Sequence, residues 1–77
     1  MGEFRRGTQT IRWSRIDASR IRVHIFRSPD PNFTTLHFDE GDVVVLGGRS
    51  AVVLAWAPTL SSDRPTRSGV LTVYKTG

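Results

Sequence analysis

Apolar and polar positions alternate most cleanly in RIRVHIF, residues 20–26, where Ile21, Val23 and Ile25 fall on one side and Arg20, Arg22, His24 and Phe26 on the other. A period of two predicts a strand with one covered face and one wet face. TIRWSR, residues 10–15, repeats the pattern, with Ile11 and Trp13 set against Arg12 and Ser14. FTTLHFD, residues 33–39, predicts another strand with Leu36 and Phe38 on one face. DVVVLGGRSAVVLAWA, residues 42–57, reads as a hairpin whose arms are almost continuously apolar and β-branched, as in strands covered on both faces. GVLTVYK, residues 69–75, predicts the last strand.

Turn signals separate these runs. Asp17-Ala18-Ser19 is a short turn, Pro29 and Pro31 break the chain into a loop over 28–32, and Glu40-Gly41 turns it again. Residues 58–68 form the longest loop, and residues 1–8 lack any period and are expected as a flexible arm. No stretch carries a 3.6-residue period. Strands at roughly ten-residue spacing predict one all-β domain over residues 9–77. The expected form is a small antiparallel five- to six-stranded barrel, SH3-like, with an OB-like arrangement as second choice. Its expected core is Ile21, Val23, Ile25, Leu36, Phe38, Val43, Val45, Val52, Leu54, Trp56, Leu71 and Val73.

Length and composition sharpen this picture. A chain of 77 residues buries only about 60–65% of its unfolded surface, so its stability is slight. There is no cysteine, which removes disulfides and thiolate metal sites and fits a reducing compartment. The apolar runs are too short to span a membrane or to form a signal core, and the expectation is a soluble cytoplasmic domain. Net charge is +4, and its distribution carries more information than its size. Residues 1–27 hold seven arginines against Glu3 and Asp17, a net of +5; residues 28–42 hold four acids and no base. Such a basic segment attracts polyanions.

The candidate chemistry is narrow. Gly47-Gly48 followed by Arg49 could cradle a phosphate, but that needs a helix N-terminus, and a strand pattern follows here. The pair instead suits a type I′ hairpin turn, in which both central residues take positive φ. His24 and His37 have no cysteine or calcium-loop pattern beside them, so no metal or cofactor is expected. Asp39, Glu40 and Asp42 form a solvated turn or pair with the basic arm. No motif joins a serine or threonine to a histidine, so no catalytic residue is assigned. The residues that suit nucleic acid are Arg5, Arg6, Arg12, Arg15, Arg20 and Arg22 for phosphates, with Phe4, Trp13 and Phe26 as rings for stacking. Trp13 is equally a core residue. Arg49, and Arg64 with Arg67 in the long loop, suit an acidic group on a partner.

GDVVVL followed by RSAVVLAW resembles the opening of the MazF/PemK ribonuclease toxins, in which a Gly-Asp strand precedes an arginine heading a valine-rich strand. The resemblance covers roughly 34 residues and implies RNA cleavage by Arg49 with Thr72 of GVLTVY. The chain departs from the family in its short connection and in Ser50, where the family has proline. The same hairpin is similar to that of small phage head-completion barrels. The residues themselves point first to a non-enzymatic module that binds nucleic acid through its arginine-rich N-terminal region. The second expectation is a protein-interaction module of a phage or mobile element, binding a host or virion protein, and the third is the toxin-like ribonuclease.

Overall fold

The alternating runs become strands, with one addition and one loss. A computed structural model of the protein describes residues 1–27, 35–59 and 66–75. Its strands are β1 (Gly2–Arg6), β2 (Gln9–Arg15), β3 (Arg20–Arg27), β4 (Val43–Leu46), β5 (Arg49–Pro58) and β6 (Ser68–Lys75). They form one sheet in the order β1-β2-β3-β6-β5-β4, antiparallel throughout. The sheet curls until β1 and β4 come side by side, giving a nearly closed barrel. The all-β architecture agrees with the expected small SH3- or OB-like barrel, and among the described residues there is no helix.

The core fills the barrel from every strand. Ile11, Ile21, Val23, Val53, Leu71 and the loop residue Leu36 are essentially inaccessible, and Phe38 and Trp56 pack beside them with ring centroids 5.1 Å apart. Full burial of each large aliphatic side chain contributes about 1.5–3 kcal/mol. Closure also shelters most of the unpaired edges that an open sheet of this length would expose.

Four expectations are corrected. Residues 2–6 are not a free arm: they pair with β2, Phe4 opposite Ile11 and Arg6 opposite Gln9. Thr35–Asp39 joins no ladder, although Leu36 and Phe38 are buried as expected. It is held by single backbone bonds such as Leu36 N–H to the Thr66 carbonyl, 2.7 Å. Phe33 and Thr34 lie outside the described residues. In β4 the phase is inverted: Val44 and Leu46 face the core, while Val43 and Val45 are exposed. In β5, Val52 is half-buried and Leu54 is exposed, while Ala51 and Val53 point inward. A one-residue change of register moves a whole side-chain set to the other face, and an arm apolar on both faces gives no pattern to choose between them.

A bulge explains why Trp56 nonetheless packs on the core. Val53 pairs with Val73, and Ala55 with Thr72. Leu54 is therefore an extra residue, and the phase of β5 switches across it. The hairpin turn is as expected, with φ of 62° at Gly47 and 82° at Gly48, values that favour glycine.

Candidate nucleic-acid interface

A second bulge shapes the basic half of the barrel. Thr10 pairs with Arg27 and Ile11 with Ile25, which leaves Phe26 as an extra residue in β3. Simple alternation turns Arg27 inward; the bulge instead leaves Phe26 and Arg27 both exposed. Across the sheet, Arg5 pairs with Thr10. Arg5, Thr10, Phe26 and Arg27, with Glu3 and Phe4, line a depression of about 400 Å³, within the size range of small-ligand sites. The Arg12 guanidinium lies 3.5 Å from the centroid of the Phe26 ring and holds it by a cation–π contact, while Arg27 lies 5.9 Å away.

The expected arginines divide into engaged and open groups. Arg6 is spent inside the fold. It pairs with Asp42 at 3.2 Å, donates to the His37 carbonyl and lies 4.3 Å over the Phe38 ring, clasping β1 to the segment before β4. This bears out the pairing of the acidic turn with the basic N-terminal region. Arg12 pairs with Glu3 at 2.9 Å. Arg20 pairs with Asp17 at 2.7 Å, and Arg15 reaches the carbonyls of Asp17 and Ala18 at 3.3 and 3.4 Å. Among the described residues, Arg5, Arg22 and Arg27 are exposed and make no ion pair. Arg22 and His24 point outward along β3, continuing the basic surface from Arg27.

Asp17 organises the turn between β2 and β3. One carboxylate oxygen accepts from the N–H groups of Ser19 at 3.0 Å and Arg20 at 2.8 Å; the other accepts from the Arg20 side chain at 2.7 Å. The Arg20 hydrogen bond, followed by that of Ser19, lowers its pKa from 3.8 to about 2. Arg20 is therefore oriented by the turn, with part of its charge neutralised.

Trp13 does not sit on this surface. Its side chain belongs to the core cluster, because Trp13 shares the inward phase of Ile11. Its indole nitrogen is buried with no hydrogen-bond partner, under Gly2 of the opposing strand. Phe4 is half-buried, edge-on to Phe38 with centroids 6.4 Å apart. Of the three rings, Phe26 is the exposed one. Arg49 is exposed beside the Gly47-Gly48 turn and Arg67 is exposed ahead of β6, whereas Arg64 lies outside the described residues. Arg49 and Thr72 are not brought together. Thr72 lies beside Ala55, about 15–20 Å along the strand from Arg49 at 3.3 Å per residue.

Arg27 is the contributor that alternation missed, since its place on the outer face depends on the bulge at Phe26. Comparison of the chain with protein-family models, with curated proteins and with solved structures finds no match. No helix among the described residues is long and apolar enough to cross a membrane.

Proposed function

We propose that this protein is a small non-enzymatic module that binds single-stranded nucleic acid along the outer face of β1, β2 and β3. The observation that carries this reading is the bulge at Phe26, which turns Arg27 outward beside that exposed ring, on a shallow depression that Arg5 also lines. A base stacks on Phe26 while the neighbouring phosphates meet Arg5, Arg27 and Arg22. Single strands suit such a surface because their bases are free to leave the stack and lie against a ring. Reading a duplex in its major groove calls for a helix or a projecting β-ribbon, and a barrel wall offers neither.

Fluorescence anisotropy with labelled single-stranded DNA and RNA, and with a duplex of equal length, tests this. Three phosphate contacts give a plot of log K against log salt with a slope of about −2. Arg5→Ala and Arg27→Ala each make that slope shallower by about 0.7. Phe26→Ala weakens single-strand binding by roughly 5- to 100-fold and leaves the slope unchanged. Absence of binding to either single strand at low salt overturns the proposal. A protein-interaction role is the second reading, favoured by the exposed apolar side chains Val43, Val45, Leu54 and Tyr74 of the other half of the barrel.

A further inference from the structure

The depression beside the Phe26 ring holds a group that works against phosphate binding. Among the described residues that line it Glu3 is the one acid, in the company of Arg5, Thr10, Phe26 and Arg27. Glu3 stands on the outer face of β1, two residues before Arg5, and its side chain is 48% exposed. A carboxylate in this place repels the backbone of a nucleic acid. Toward a base it is complementary, because an ionised carboxylate only accepts hydrogen bonds, and the amino and ring N–H groups of bases donate them.

Arg12 fixes the acid and the ring together. It lies opposite Glu3 in the β1–β2 ladder, and its Nε donates to Glu3 Oε1 at 2.9 Å. The same guanidinium lies 3.5 Å from the Phe26 ring centroid. Glu3 Oε2 makes no hydrogen bond among the described residues, and Oε1 keeps a second acceptor position beside Arg12. The open cations stand in the next row. Arg5, Thr10 and Arg27 are cross-strand neighbours over β1, β2 and β3, about 7 Å along the strand from Glu3. One row therefore suits phosphates, and the other suits the edge of a base stacked on Phe26.

We infer that the site prefers guanine and reads it with Glu3. The inference rests on the single-strand reading above. Guanine alone presents two adjacent donors on its pairing edge, the ring N1–H and the exocyclic N2 amine, and one carboxylate accepts from both. Adenine and cytosine offer an amino group beside a ring acceptor, and thymine and uracil offer one N–H between two carbonyls. Each of these sets a lone pair against the carboxylate oxygens, which leaves an acceptor without a donor. In a single strand the pairing edge is free to be read in this way; in a duplex the partner base occupies it.

Fluorescence anisotropy with short oligothymidine strands, unmodified or carrying one central guanine, adenine, cytosine, hypoxanthine or 7-deazaguanine, tests the inference at a single salt concentration. The guanine strand is expected to bind roughly 5- to 20-fold tighter than the thymine, adenine and cytosine strands, the low end for a paired base contact because Glu3 is half exposed. Hypoxanthine, which lacks the N2 amine, loses most of that preference. 7-Deazaguanine, which keeps the pairing edge, retains it. Glu3→Gln keeps an acceptor for Arg12 and removes the charge. It is expected to bring the guanine strand down to the level of the others, and to leave those bound as tightly as before or more tightly. Equal affinity for all the strands overturns the inference and leaves the single-strand reading standing. The same holds for a guanine preference that survives Glu3→Gln, or for a loss of affinity in that variant shared by every strand. Binding to none of the strands overturns both.

Discussion

The two halves of this barrel share an inner face and differ in their outer one. In β1 to β3 the inward side chains are Phe4, Ile11, Trp13, Ile21, Val23 and Ile25; in β4 to β6 they are Val44, Leu46, Ala51, Val53, Leu71 and Val73. Either set suits a packed interior, and the sheet runs through both without a break. Outside, the first half carries Arg5, Arg12, Arg22 and His24, and the second carries Val43, Val45, Leu54 and Tyr74. The interior therefore specifies the barrel and leaves each outer face free to take its own chemistry. The bulges make the same point. Each adds one residue to one strand, and each turns the next residue outward beside a large exposed side chain: Arg27 beside Phe26, Ala55 beside Leu54. One backbone device thus serves two different surfaces.

The largest test of this division uses one residue type on both sides of the sheet. Leu71→Ala, in a fully buried site, is expected to cost about 2–5 kcal/mol. Leu54→Ala, on the outer face of the adjacent strand, is expected to stay within about 0.5 kcal/mol. Urea unfolding measures both, and comparable losses would break the contrast between inner and outer faces. Arg6 and Arg22 supply the next test, because one is engaged and the other open. Arg6→Ala is expected to lower stability by roughly 1–2 kcal/mol, from a half-exposed ion pair and a cation–π contact. Arg22→Ala is expected to leave unfolding unchanged while reducing oligonucleotide affinity and its salt slope. If both variants lose stability equally, the separation of clasp from binding surface fails.

The smallest effect concerns the turn between β2 and β3. Folding holds the Asp17 carboxyl at about 2 against an ordinary 3.8. Its contribution is therefore complete above about pH 4 and is lost as pH falls from there toward 2. Thermal unfolding from pH 5 to pH 2 should decline less steeply for Asp17→Asn than for wild type. An identical slope would mean that the turn does not depend on that charge.

The same contrast between halves accounts for what could be read from the chain alone. In RIRVHIF the outer positions are mostly charged, so the alternation names the buried side correctly. In VVVL and AVVLAW both sides are apolar, and the phase is decided by pairing and by the bulge at Leu54, which no local pattern reports. Leu36 and Phe38 show that alternation reports exposure rather than hydrogen bonding, for they are buried without a ladder. GEFRR offers only Phe4 as an inward apolar residue, and its strand exists because β2 supplies a partner edge. Of the candidate site, the basic character of the N-terminal half was legible from charge counting. The division into open and engaged arginines was not, because the partner of Arg6 is Asp42, distant in sequence, and the exposure of Arg27 comes from a bulge.

The closure of β4 against β1 bears on how this strand is kept from pairing with other chains. VVVL carries no charge, proline or bulge to discourage a stranger from adding to its free side, which are the usual protections of an edge strand. Its guard is borrowed from the far end of the chain, through β1 and the Arg6 clasp. Trimming the first six residues thus removes more than cations. It leaves a short, uncharged, β-branched strand open to its own kind, the starting point of cross-β fibres.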